Sequence, residues 1–239
     1  SLNLVRAMDS GLAATDPADS SIRARMEAYA LAGRMQSSIP EAANLDAEGA
    51  ATRRMYGVDD SRIGPTARNF LLARRLIERG VRFVQIIHGG AFGSPRINWD
   101  AHEDITINHR EQAGLVDQPV AALLADLRAR GMMDDTLVLW TTEFGRTPIT
   151  EGIGARGRDH HPLGFTMWMA GAGLKPGYHH GQTDPFGFAP VEGKATLYDF
   201  HATVLHLLGL DHQKVTYYSN GARRRLTDVH GELIEDILS

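Results

Sequence analysis

The chain contains no cysteine. Disulfides, thiol nucleophiles and cysteine-ligated zinc are therefore excluded, although the compartment is not fixed by this. No apolar run reaches spanning length, and no signal peptide opens the chain. The first residue is Ser1 rather than Met, so the expectation is a processed or truncated product from which any export signal could have been removed. Excess positive charge is also lacking: 25 Lys and Arg face 29 Asp and Glu, which gives no basic face for a nucleic acid. The nearest candidate, Arg223-Arg224-Arg225, is too short for a basic tract and reads as a solvated turn.

What remains is an ordinary soluble composition. At 239 residues the chain can bury a core without covalent staples, and it fits one domain. Residues 1–60 read as helical, with Ile22, Met26, Tyr29, Ala30 and Met35 at helical spacing until Ser37-Ser38-Ile39-Pro40 breaks the pattern. A helix is predicted from about Thr66 to its stop at Gly80, another through Leu115, Val116, Leu123, Leu124 and Leu127 to near Gly131, and a third from Leu197 to Gly209. Three apolar runs, Val81–Ile87, Thr136–Thr141 and Phe165–Ala170, read as buried strands. Strands alternating with helices predict an α/β fold with a mostly parallel sheet. Residues 172–195, rich in Gly and Pro, predict a hairpin or irregular excursion.

In such sheets, ligands sit beyond the carboxyl ends of the strands. His88-Gly89-Gly90 and Asn98–Asp104 follow the first run, Glu143–Pro148 follows the second, and Gly157–Pro162 precedes the third. Asp100 and His102 are two apart, so on an extended segment both would face one point, which suits zinc or manganese. For the pair alone, a turn-capping Asp and a solvated His is the favoured reading. Three clusters at equivalent positions favour a metal site. Glu143 ends an apolar strand and is either a surface carboxylate or a ligand. Arg146 either grips an anionic oxygen or pairs with Glu143. In Asp159-His160-His161 the adjacent histidines point in different directions, so one is expected to ligate, with the other or Asp159 orienting it. His179-His180 reads as exposed and His201 as a helix-packing residue. His109, His212 and His230 have no constellation around them.

These motifs resemble the alkaline phosphatase superfamily, which includes sulfatases and cofactor-independent phosphoglycerate mutases. Within it the chain resembles the sulfatase-like family called domain of unknown function 1501. The matching stretches are Tyr29–Gln36, Leu71–Gln85, Trp99-Asp100-Ala101-His102, Thr142-Glu143-Phe144-Gly145-Arg146-Thr147-Pro148, Gly157-Arg158-Asp159-His160-His161-Pro162 and Asp199–Leu205. The resemblance implies a three-layer α/β/α domain over residues 1–239, in which Asp100 and His102 serve one metal. Glu143 would take the place of a strand-end Asp for a second metal, with Phe144 standing where a His is expected. His160 or His161 resembles a late His ligand, and the Asp199 helix leaves His201 structural. Residues 1–60 hold no strand ending in an Asp and nucleophile, so the chain looks like the later portion of a longer member. Export by a twin-arginine signal, and so an extracytoplasmic location, is also implied.

The expected function is therefore metal-dependent hydrolysis of phosphate or sulfate esters, small or polysaccharide, with zinc, manganese or calcium as cofactor and Arg146 stabilising developing charge. The expected site set is Asp100, His102, Glu143, Asp159, His160, His161 and Arg146. An isolated chain lacking the nucleophile is expected to show little activity. The rivals are a non-catalytic extracellular binding or assembly module, and a mononuclear metal protein that needs only Asp100, His102 and His161.

Overall fold

The computed structural model describes residues 2–15, 20–90 and 96–239. The elements in chain order are α1 (Leu2–Thr15), α2 (Ser20–Ala43), α3 (Ala50–Tyr56), α4 (Gly64–Glu78), α5 (Ile105–Ala129), β1 (Leu137–Trp140), β2 (Gly145–Thr150), β3 (Arg158–His161), β4 (Trp168–Gly171), β5 (Gln182–Thr183), β6 (Pro190–Glu192), α6 (Leu197–Leu207), β7 (Thr216–Ser219) and β8 (Ala222–Arg225). The chain forms two compact units. One holds the described residues up to Ile87 together with Gln118–Leu123, and the other holds His88–Asp117 and Leu124–Ser239.

The first unit is helical. In α4, Ala67, Phe70, Leu71 and Ala73 are buried at helical spacing, next to buried Tyr56, Val58 and Ile63. Asp60 prepares the start of α4, its Oδ1 accepting from the amides of Arg62 and Ile63 at 2.7 and 2.9 Å. Gly80, at φ 85°, follows its end, where glycine takes the left-handed conformation without a Cβ penalty. The unusual feature of this core is cationic. Arg74 is only 1 % exposed and binds Glu48 at 2.8 Å and Glu78 at 2.7 Å. Arg75 contacts the other Glu48 oxygen and also donates to the carbonyls of Ala42 and Glu41, each at 2.7 Å. Burial pushes the Glu48 carboxyl up, but the two guanidiniums outweigh it and hold it below its ordinary value.

The second unit carries the strands. Among the described residues its four sheets are two-stranded and antiparallel, pairing β1 with β4, β2 with β3, β5 with β6 and β7 with β8. Helix α6 starts in a capping box, Thr196 Oγ1 accepting from the Asp199 amide at 3.3 Å while Asp199 Oδ2 accepts from the Thr196 amide at 2.7 Å. Thr203 on this helix and Thr227 are fully buried.

This architecture overturns the expected three-layer α/β/α fold with a mostly parallel sheet. The apolar runs at β1 and β4 are strands, but their register, Leu137 opposite Gly171 to Trp140 opposite Trp168, is antiparallel. Parallel strands need a long crossover, usually helical. Between β1 and β4 the chain instead makes its own hairpin, β2–β3, and so returns antiparallel. Val81–Ile87 is not a strand. Its composition favours one, but it has no ladder partner among the described residues, and Phe83 and Ile87 are 75 % and 84 % exposed.

Two smaller expectations also change. Pro40 does not end α2, which continues to Ala43, because a proline near the last turn removes one backbone bond without stopping a helix docked on α4. The side chain of Met35 lies outside the described residues. Arg223-Arg224-Arg225 is strand β8 rather than a turn. The turn is Asn220-Gly221, both at positive φ, the pair that a two-residue hairpin favours. The helices expected at 66–80, 115–131 and 197–209 are present as α4, the later part of α5, and α6, and the 172–195 excursion contains the β5–β6 hairpin. No helix among the described residues is long and apolar enough to cross a membrane.

Candidate metal centre

The candidate ligands are brought together by backbone first. Asp100, Ala101 and His102 form a three-residue turn in which the His102 amide donates to the Asp100 carbonyl at 2.8 Å. Thus the two side chains share a site through a tight turn and not through the alternation of an extended segment. The turn is tied to the start of β3: the Arg158 amide donates to Ala101 at 3.1 Å, and the Ile105 amide to Arg156 at 3.2 Å. Gly157 permits this closeness, since a Cβ there would lie 1.6 Å from the His102 carbonyl oxygen. The β2–β3 hairpin supplies the rest, with Arg146 directly opposite His160.

Three donor atoms then form a small triangle. Asp100 Oδ1 is 3.0 Å from His102 Nε2 and 2.9 Å from His160 Nε2, and the two imidazole nitrogens are 3.1 Å apart. Arg146 adjoins it, with Nη2 2.5 Å from Asp100 Oδ1 and Nη1 3.4 Å from His102 Nε2. Phe144 walls one side, its ring centroid 4.2 Å from that of His160 and 5.7 Å from the Arg146 guanidinium carbon. Burial would raise the Asp100 carboxyl, yet Arg146 and then His160 hold it down at about 2. His102 is shifted up, chiefly by its hydrogen bond to Glu151; burial opposes this and Asp100 adds to it. Behind the turn, Trp99 Nε1 donates to His88 Nδ1 at 3.1 Å, and His109 Nε2 donates to the Trp99 carbonyl at 3.3 Å. Burial lowers the pKa of both His88 and His109.

The expected residues divide clearly. Asp100, His102, His160 and Arg146 converge. Asp159 belongs to a second group with His102 and Glu151, whose ligand atoms lie within 4.8 Å of one another, and its Oδ1 accepts from the His160 amide at 2.7 Å. His161 is buried and donates from Nε2 to the Phe188 carbonyl at 2.6 Å, so it braces the β5–β6 excursion. Glu143 is exposed, accepts from the Thr142 hydroxyl at 3.2 Å, and joins neither group. His179 and His201 are exposed, and His201 donates from Nδ1 to the Leu197 carbonyl of its own helix at 2.7 Å. Glu151 was not expected. Gly152, Gly154 and Gly157 mark 151–157 as the hairpin connection that carries it, but its contact with His102, 49 residues away, has no local signal.

Gly157→Ala tests this construction. The added methyl must displace the His102 carbonyl, so a stability loss of about 1–3 kcal/mol is expected, together with impaired divalent-ion binding. Denaturant unfolding and ion titration would measure both, and a variant matching the parent in each would refute the role given to Gly157.

No curated protein and no solved structure matches the chain. A family model described as protein of unknown function (DUF1501) matches residues 1–238, and the chain belongs to that family.

Proposed function

We propose that Asp100, His102 and His160 hold one divalent ion and that the chain hydrolyses phosphate or sulfate esters there. The observation that carries this reading is the triangle of donor atoms with edges of 2.9, 3.0 and 3.1 Å. Neighbouring ligands about 2.1 Å from an ion stand about 3.0 Å apart in an octahedron and about 3.4 Å apart in a tetrahedron. The three atoms are thus close enough to bind one ion of either geometry. Two nitrogen donors disfavour calcium, which takes oxygen. When bound, the ion supplies Lewis-acid polarisation of the ester oxygen. Arg146 offers the fixed cation for an anionic ester oxygen, and Phe144 covers His160 from solvent on one side. The finer resemblance to sulfatase-like enzymes of the alkaline phosphatase superfamily supports ester chemistry through the motifs and not through the fold, and with it an extracytoplasmic setting.

Among the described residues, those in contact with the triangle offer no hydroxyl or thiol, so the expected turnover is weak and water-borne. The test is hydrolysis of an aryl phosphate and an aryl sulfate with manganese, zinc and calcium added in turn. Turnover that needs no metal, or that survives His102→Ala, would defeat the proposal. Ion affinity is expected to climb as pH rises between about 5 and 8, because the ion must displace the proton that His102 holds at raised pKa. Titrations at several pH values would show this, and a flat profile would contradict it.

A non-catalytic binding module is the second reading. It is favoured by the Arg146–Asp100 contact, which satisfies the carboxylate without any ion. Absence of turnover on either ester, whether or not an ion binds, would select it.

A further inference from the structure

We propose that Glu151 is a positioning residue of this centre, fixing the ring of His102 so that its Nε2 lone pair faces Asp100 and His160. The inference rests on the metal reading above and adds a residue to it. His102 uses its two ring nitrogens in different directions. Nε2 lies in the donor triangle, whereas Nδ1 is in direct contact with Glu151 Oε1 across 49 residues of sequence. A carboxylate at Nδ1 keeps the proton on that nitrogen, so Nε2 is the one left to bind an ion. It also opposes rotation of the ring, which would exchange nitrogen for carbon at the triangle.

The hairpin holds Glu151 in place. Its amide faces the Gly157 carbonyl at 3.4 Å, and the neighbouring Thr150 hydroxyl donates to the Gly152 carbonyl at 3.2 Å. Gly157 is the same residue that admits the His102 carbonyl, so one connection fixes both the imidazole and its carboxylate. The two histidines are thereby oriented differently. His160 packs its ring on Phe144, while His102 is held by a hydrogen bond to an acid. Sensitivity to loss of a carboxylate should therefore be concentrated in His102.

The experiment uses the full 239-residue chain and cobalt(II) as the probe. Visible absorption follows binding, elemental analysis gives stoichiometry, and thermal melts check folding. The parent should bind one ion. Glu151→Ala should bind it about 10–100-fold more weakly with a shifted absorption band. Glu151→Gln should recover most of the affinity and the parental band, because its amide oxygen still accepts from Nδ1. A purely structural role would lower the melting temperature without altering the band of the bound ion. The proposal is overturned if Glu151→Ala binds like the parent. It is also overturned if the parent binds two ions and Glu151→Ala loses one, since Glu151 would then be a ligand, or if Glu151→Gln is as weak as Glu151→Ala. Failure of the underlying metal reading is distinct: the parent itself would bind no cobalt, and His102→Ala would not differ from it.

Discussion

His160→Ala is expected to weaken manganese binding by at least about a hundredfold. Loss of an orienting partner alone costs about 10–100-fold, and His160 supplies one of three donor atoms. The fold should survive, because His160 is exposed and its ring contacts are to Phe144 and His102. His161→Ala makes the contrast. Its ring is buried against Phe188, so its removal should cost stability and leave ion affinity within a few-fold of the parent. Titration calorimetry on both variants, alongside chemical unfolding, gives a paired result. Were His161→Ala to lose the ion and His160→Ala to keep it, the wrong histidine of the pair would have been assigned.

The second large effect belongs to the helical unit. Glu48→Ala should destabilise the protein by about 3–5 kcal/mol, because it removes the acid that two buried guanidiniums share. Arg74 would retain Glu78, and Arg75 would retain the carbonyls of Ala42 and Glu41. Neither set replaces a carboxylate that is itself only 9 % exposed. The pH dependence has a definite sign. The folded Glu48 carboxyl lies below its ordinary value, so its stabilisation is present above the unfolded pKa of about 4.3 and is lost as pH falls through the folded one. Urea midpoints measured from pH 7 downward should therefore converge for parent and variant in acid. Parallel curves over that range would assign the stability to packing and not to charge.

The sequence was legible where local chemistry decides the outcome. Gly80 and Gly209 marked the ends of α4 and α6 because left-handed backbone after a helix favours glycine. The sheet was not legible, because strand direction depends on which segments meet. The runs at β1 and β4 have the composition of buried strands in either direction. Only the missing helix between Thr141 and Gly164 argued for an antiparallel return. Val81–Ile87 shows the same limit, since apolar, β-branched composition makes a strand only when another strand lies beside it.

At the candidate site, residue types were the better guide. Asp100, His102, His160 and Arg146 meet, although a tight turn brings the first two together instead of an extended segment. Glu143 was chosen because it follows β1, but no backbone bond fastens it to β3 as the Asp100 turn is fastened. Glu151 was passed over because its value comes from a contact 49 residues distant, which no local spacing reveals.

If the proposed ion binds, the contact between Arg146 and Asp100 would make its entry an exchange and not an addition. An ion taking that oxygen would compete with the guanidinium, so its affinity would be a difference between two attractions. Capture would then be timed by a side-chain departure rather than by diffusion alone. Added salt, which loosens the internal pair, would speed loading even while it weakens the final grip.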